Sequence, residues 1–544
     1  MKIVQVEIEN YRSIKDVTLQ PGQLMALVGP NNAGKTNILS AINFALGDRW
    51  PSANGLEQTD RFNKDAARNI RIKISFAREN NDSAVSAISL SEANGRLNAR
   101  YRQFDSDATP YLNDAIRAQF PVVYLDAARN FDSQFSMSRW SLFGRIARQL
   151  HDDFEATAPA DVKTALTGHL SQAQDILKTP LYRSFEQAIS EAFQNQIRRT
   201  MHDVRLDFRS FDPLNFYKAI YPTLIEGQIE KSPAEAGSGV RNLIVLALFR
   251  AYATAFRNST VFAVEEPEIY LHPHAQRSLA SLYREMAEAG HQVFYSTHSA
   301  AFVDVTRSDE IVLVERCEDD EEEVCTRVRT VTGEQIVAAR QALHPNIPMV
   351  LEVVRARLGN ICAAKHAEAY FAKAILLGEG ASEEEIYPIF ARHLGVDLDG
   401  LGVSVVGVSG KGNLDSLWQL YGAHRIPTFL TFDNDAHPQG KEQDRALNEV
   451  LTRMLGLAET RTPAATITAT YAILDGDLES TIRRETEVRF PGLYDQLKAE
   501  AGQTVGSGKP LVARYISRKL VARDFVPPTI ATIIENVRVM ASQV

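Results

Sequence analysis

A chain of 544 residues is too long for one small module and long enough for about two to four folded units. Hydrophobic residues at 44% and charged residues at 23% match an ordinary globular composition, which excludes disordered, collagen-like and fibrous classes. With 59 Lys/Arg against 68 Asp/Glu, the net charge of −9 disfavours a wholly basic, indiscriminate nucleic-acid binder but leaves room for a local basic channel.

Cys317, Cys325 and Cys362 form an odd set with no Cys-x-x-Cys pair. That argues against a disulfide framework or zinc ribbon and for a reducing, cytoplasmic setting. The opening MKIVQVEIENYRSI alternates apolar and polar residues, as a strand does and a signal peptide does not. Apolar stretches such as Leu243 to Phe249 fall far short of the roughly 20 residues that span a bilayer.

In chain order, a strand is predicted at Ile3, Val4, Val6 and Ile8, a buried strand at Leu24 to Val28, a helix from Asn37 to Leu46, and another strand over 70–76. Helical spacing then takes over from about 140 to 231, through Leu142, Ile146 and Leu150, Leu166 and Leu170, then Phe185, Ile189 and Phe193. Strand-type sequence returns at Val261 to Val264, Gln292 to Tyr295 and Glu310 to Val314. The six acids at 318–323 read as the solvated tip of a hairpin. A charged helical connector is expected over 334–373. After it come a strand at Ala374 to Leu377, a helix from Ser382 to Leu394, a strand at Val403 to Val408, a helix from Asn413 to Tyr421 and a strand at Thr428 to Phe432. Such alternation predicts parallel pairing. The fold class is α/β, divided as a first head segment 1–140, a helical insertion 141–231, a second head segment 232–333, the connector 334–373 and a C-terminal module 374–544.

Gly29-Pro30-Asn31-Asn32-Ala33-Gly34-Lys35-Thr36 matches GxxxxGK[ST] between an apolar strand and a helix. There the backbone N–H groups of Gly29, Asn31, Asn32 and Gly34 are expected to cradle phosphates, with Lys35 reaching the β/γ oxygens and Thr36 ligating Mg²⁺. Val261 to Val264 ends in Glu265 and Glu266, assigned to the metal and to the general base. His298 follows a strand and is placed to contact a γ-phosphate. Gly237 to Arg241 precedes a helix from Asn242 to Ala251, so Ser238 and Gly239 offer a further phosphate-facing helix start.

Leu376-Leu377-Gly378-Glu379-Gly380-Ala381-Ser382-Glu383 puts one carboxylate at a strand end and another at the next helix start. Asp433 and Asp435 end a later strand. In a parallel sheet these ends share one edge, and four carboxylates there repel unless cations neutralise them. Oxygen-only ligands favour Mg²⁺ or Mn²⁺ over zinc.

The order of P-loop, glycine-serine signature, acidic strand end and histidine resembles an ABC-type ATPase head of the kind in SMC, RecF and Rad50 relatives. Ile8-Glu9-Asn10-Tyr11-Arg12-Ser13-Ile14 and Glu266-Pro267-Glu268-Ile269-Tyr270-Leu271-His272-Pro273 are similar to those relatives too. The insertion lacks the long heptad array of SMC arms. A glutamate at the metal position, GSGVR in place of LSGGQ and no evident Q-loop glutamine point to ATP binding more firmly than to fast hydrolysis. The second constellation resembles a Toprim domain, with Glu379 as first acid and Asp433 and Asp435 as its DxD. Together the two are similar to the OLD (overcoming lysogenisation defect) family. That resemblance implies metal roles for Glu383 and for the looser matches Asp477 and Glu479, and a transition-state role for Lys509. It implies an ATP-regulated, Mg²⁺- or Mn²⁺-dependent DNA endonuclease or nickase, acting in phage defence or DNA repair. Dimers or tetramers formed through the heads and the insertion are expected, as is a UvrD-like helicase partner if the chain is GajA-like. The rival is an ATP-dependent DNA clamp or scaffold without nuclease activity. Residues 481–544 carry ten Lys/Arg against six Asp/Glu, a candidate basic rim for phosphates.

Overall fold

The computed structural model describes residues 2–543 except 48, 53–55, 79–83, 94, 118, 121, 128–141, 198–212, 214–215, 218, 221, 256–259, 363 and 437–440. Two compact units are present, one of Met1–Leu46, Trp50–Ala127 and Ser259–Val544, the other of Gly47–Arg49 and Ala128–Asn258.

The larger unit begins with β1 (Ile3–Tyr11), β2 (Ile14–Leu19), β3 (Leu24–Val28), α1 (Lys35–Leu46), β4 (Arg71–Phe76), β5 (Val85–Ala93), β6 (Arg96–Gln103) and β7 (Val122–Leu125). The second unit holds α2 (Leu142–Thr157), α3 (Ala160–Leu177), α4 (Pro180–Ile197), the hairpin β8 (Leu224–Glu226) and β9 (Ile229–Lys231), and α5 (Ser238–Ala255). The chain then returns to the larger unit with β10 (Val261–Glu265), α6 (Pro273–Glu288), β11 (Gln292–Thr297), β12 (Ile311–Glu318) and β13 (Val324–Arg329).

Strands β2-β1-β4-β5-β6 form an antiparallel sheet, and β13-β12-β3-β11-β10-β7 form a second in which β13 alone runs antiparallel. The period-two pattern of β1 buries Val6 and Ile8 on one face, whereas all five residues of β3 are buried, as a covered parallel strand requires. Helix α1 lies between the sheets. Its Ile38, Leu39 and Ile42 share a core with Ile72 and Ile74 of β4 and Phe294 of β11. Each such side chain stabilises the fold by about 1.5–3 kcal/mol. This packing fixes the start of α1, and with it the P-loop.

The acids at 318–323 do form a hairpin tip between β12 and β13, but the tip is tied down rather than simply solvated. Lys15 reaches Asp319, Glu321 and Glu323, and Arg68 pairs with Glu323 at 2.7 Å.

Beyond β13 come α7 (Gly333–Leu343) and α8 (Leu351–Ile361), then β14 (Ala374–Gly378), α9 (Ala381–His393), β15 (Val403–Gly407), α10 (Leu414–Ala423), β16 (Thr428–Asp433), α11 (Glu442–Met454), β17 (Thr466–Ile467) and β18 (Tyr471–Leu474). Four helices close the chain, α12 (Leu478–Arg489), α13 (Leu493–Thr504), α14 (Lys509–Val521) and α15 (Pro528–Ser542). The sheet order is β15-β14-β16-β18-β17, parallel except for β17, so the ends of β14, β15, β16 and β18 meet at one edge.

Helix α8 bridges both halves of this unit. Arg355 pairs with Asp309 at 2.7 Å, while Arg357 donates to the Gly412 carbonyl at 2.9 Å and lies 3.4 Å from Asp415. Buried Asp415 also takes Arg340 at 3.0 Å and hydrogen-bonds His344 at 2.7 Å; against the opposing effect of burial, the Arg340 and Arg357 charges, helped by the His344 hydrogen bond, hold its pKa below the usual carboxylate range. Among the described residues, no helix is long and apolar enough to cross a membrane.

Candidate nucleotide and metal sites

The loop between β3 and α1 closes because two glycines permit contacts that a side chain would block. A Cβ on Gly29 would lie 2.0 Å from the Val314 carbonyl oxygen. One on Gly34, at φ +110°, would lie 2.2 Å from Thr326 Oγ1. Lys35 is buried and donates to the Gly29 and Pro30 carbonyls at 2.8 and 2.9 Å. Burial lowers its pKa to about 8, with Glu266 and Glu268 pulling the other way. Asn31 and Asn32 are exposed on the loop, and Thr36 is exposed in the first turn of α1.

Glu265 and Glu266 separate at the end of β10. The Glu265 carboxylate is buried, bonded by the Tyr124 hydroxyl and by the Ala127 N–H at 3.1 Å, and burial raises its pKa. Glu266 adopts φ +41°, its N–H donating to the Ser296 carbonyl at 2.9 Å, and its carboxylate lies 3.8 Å from His298 Nε2. A non-glycine residue held in the left-handed region carries local backbone strain. Burial first, and the Lys35 charge second, lower the His298 pKa. The sequence reading includes Glu268 in a segment similar to the relatives but gives it no role; it accepts the His298 N–H at 2.5 Å and the Thr297 hydroxyl at 3.0 Å. Its position two residues beyond Glu266 was the available signal. Ser238 and Gly239 open α5 in the second unit, and the Ser238 side chain lies outside the described part.

At the C-terminal sheet edge, Glu379 follows β14 and Glu383 sits in the first turn of α9. Glu383 accepts the N–H groups of Glu379 and Gly380 at 3.0 and 3.2 Å, so this carboxylate caps the helix as well as lining the site. Burial, then the neighbouring Glu379, push its pKa up to about 8 despite those two donors. Glu379 accepts the Asp433 N–H at 2.8 Å; burial raises its pKa and Lys411 opposes that rise. Asp433 is held well above its ordinary value by burial, then by Glu379 and Glu383. Its Oδ1 is buried without a hydrogen-bond partner. Asp435, at φ +52°, is positioned by an N–H bond to the Gly476 carbonyl at 3.0 Å.

The looser matches lie beside this cluster. Asp477 is the N-cap of α12, accepting the Ser480 N–H at 2.7 Å, and its charge reaches Asp433. Glu479 accepts the Ser382 hydroxyl at 3.4 Å. Lys509 opens α14 with its side chain 76% exposed and its ammonium 3.9 Å from Glu479. Part of the basic C-terminal rim is paired: Arg483 with Asp495, Arg484 with Asp475, Arg514 with Glu385 and Arg538 with Glu535.

Sequence reasoning also missed Lys411, whose buried ammonium bonds the Asp433 carbonyl and the Asp435 carboxylate and lies 3.6 Å from Glu379. The signal was present in Gly410-Lys411-Gly412, a lysine between glycines just beyond a buried strand. Among the described residues, the set of three acids with ligand atoms within 4.8 Å of one another is Asp319, Glu321 and Glu323, all on Lys15, and not the acids at the sheet edge. The orphaned Asp433 oxygen and the all-oxygen donor set nevertheless fit a hard divalent cation.

Comparison with known proteins finds two domains along the chain. Residues 24–304 match the model "AAA domain, putative AbiEii toxin, Type IV TA system", and residues 370–435 match "Overcoming lysogenization defect protein-like, TOPRIM domain". The second match contains Glu379, Glu383, Asp433 and Asp435. The OLD nuclease of Thermus scotoductus is 28% identical over 81% of this chain and 83% of its own length. The Old nuclease of Escherichia phage P2 is 23% identical over 80% and 77%, and the endonuclease GajA of Bacillus cereus is 20% identical over 71% and 67%. An ABC-type ATPase head followed by a TOPRIM domain is the class that fold and sites define. The chain belongs to the AAA-domain family matched over residues 24–304, carries the OLD-like TOPRIM domain after it, and is similar to OLD nucleases over most of its length.

Proposed function

We propose that this protein is a divalent-metal-dependent DNA endonuclease or nickase regulated by ATP in its head. The observation that carries the reading is the partnerless Asp433 oxygen, buried beside Glu379 and Glu383 at the open edge of a parallel sheet. Glu379, Glu383, Asp433 and Asp435 hold Mg²⁺ or Mn²⁺, and Asp477 and Glu479 flank a second cation position. Bound cations supply Lewis acidity toward a phosphodiester and lower the pKa of water. Lys509, exposed on the first turn of α14, offsets negative charge on the strained phosphate.

In the head, the Gly29 to Lys35 loop, with Asn31 and Asn32 on its rim, binds the phosphates of ATP, and Thr36 and Glu265 hold its Mg²⁺. Glu266 acts as base toward water, His298 faces the terminal phosphate, and Ser238 and Gly239 serve the nucleotide of a second copy. Homodimers or tetramers are supported by Ile176, Leu177, Leu181 and Phe185, which stand 59–80% exposed on α3 and α4. DNA is the substrate, with phage defence or DNA repair as the setting and a UvrD-like helicase as the partner to seek.

A plasmid assay varying cation and ATP independently tests the proposal. Supercoiled DNA should become nicked with Mg²⁺ or Mn²⁺, and Asp433→Ala or Asp435→Ala should abolish nicking while ATP binding persists. Cleavage retained in both variants refutes the carboxylate roles. ATP-dependent DNA retention with no cut product favours the clamp.

A further inference from the structure

The buried Lys411 side chain has no part in the metal site proposed above, yet it lies at its centre. Only 2% of the side chain is exposed, and its ammonium bonds the Asp433 carbonyl and Asp435 Oδ2, with Glu379 Oε1 3.6 Å away. A buried ammonium is costly unless paired, so these contacts fix its position. Among the described residues, the ammonium in contact with Glu379, Asp433 and Asp435 is that of Lys411, Arg445 reaching only the Asp435 carbonyl, and Asp433 Oδ1 is left without a partner.

The backbone around it is anchored while the side chain is a flexible four-carbon arm. Gly410, at φ +129°, donates its N–H to the Glu379 carbonyl at 2.7 Å. The Gly412 carbonyl is held by Arg357 of α8 at 2.9 Å, and Asn413 donates to the Val408 carbonyl at 3.0 Å. The ammonium can therefore leave the acids without unfolding the turn that carries it.

We propose that Lys411 is a tethered counter-ion and positioning residue: it holds Asp435 and Glu379 together in the metal-free chain and yields Asp435 when a divalent cation binds. The inference rests on the reading that these acids hold such a cation. Lys411 thereby sets the cation concentration at which the site fills, because loading must break its bond to Asp435.

The test is Mn²⁺ titration of the nucleotide-free full chain, followed by the electron paramagnetic resonance of free Mn²⁺, with Asp433→Ala as baseline. Lys411→Met should bind Mn²⁺ about tenfold more tightly, since a competing charge within about 4 Å has gone. Lys411→Arg keeps the charge and should stay within about twofold of wild type. Metal-free Lys411→Met should melt earlier than wild type and gain more from added Mn²⁺. Unchanged or weaker Mn²⁺ binding by Lys411→Met, or tightening by Lys411→Arg equal to that of Met, overturns the proposal. If Lys411→Met does not fold, Lys411→Arg decides alone: binding within about twofold of wild type upholds the proposal, and tightening of about tenfold overturns it. Wild type indistinguishable from Asp433→Ala overturns the underlying metal reading instead, and this inference with it.

Discussion

Glu383→Gln isolates what the buried carboxylates do to the metal-free fold. Glu383 is 6% exposed, its two oxygens accept the N–H groups of Glu379 and Gly380, and its pKa stands at about 8. Carrying the carboxyl from 4.5 to about 8 costs about 5 kcal/mol to ionise within the fold. A carboxyl that binds its proton more tightly when folded stabilises fully below about pH 4.5 and loses that contribution as pH rises through about 8. Glutamine never ionises, but its NH₂ must face one of the two backbone donors, which costs about 1–3 kcal/mol. At pH 9 with EDTA, Glu383→Gln should therefore be about 2–4 kcal/mol more stable than wild type in urea denaturation, and at pH 4.5 about 1–3 kcal/mol less stable. Saturating Mn²⁺ should remove the advantage at pH 9, because the wild-type carboxylate then has a cation to meet. A difference of the same sign at both pH values refutes the reasoning.

Asp415→Ala leaves Arg340, which is 4% exposed, and Arg357 without their shared counter-charge and His344 without its carboxylate partner, and should cost about 3–5 kcal/mol in chemical denaturation at pH 7. Because the folded pKa of Asp415 is depressed, that contribution is present above the unfolded value and disappears as pH falls through the lower folded one. Gly29→Ala drives a methyl group into the Val314 carbonyl and should weaken ATP binding in filter assays by about tenfold or more, since about 1.4 kcal/mol of misfit suffices. Glu268→Ala releases the His298 N–H and the Thr297 hydroxyl, and should slow ATP turnover by about tenfold with binding retained. Unchanged turnover would refute a role for Glu268 in holding His298.

Local patterns made much of the framework legible. Strand β3 is a continuous buried run before a glycine-rich loop, and Glu379, Asp433 and Asp435 stand at or just past the ends of apolar strands. Such signals live within a few residues of each other, where periodicity and turn chemistry are set by near neighbours. The acidic run at 318–323 shows the limit. Its charge was evident, but its restraint by Lys15 and Arg68, hundreds of residues earlier, was not. Glu265 was likewise recognisable as an acid at a strand end, while its Tyr124 partner was not, because strand order alone makes β7 the neighbour of β10.

The C-terminal module divides in the same way. The sequence by itself determined which carboxylates end strands, since each belongs to a short apolar segment with its own turn. Only the tertiary structure decided that Lys411 lies among them. Strand β14 sits between β15 and β16, so the loops that follow all three open on one edge, and residues 24 positions apart form an ion pair there. Local propensity creates each strand, but the order in which strands pair decides which loop ends meet.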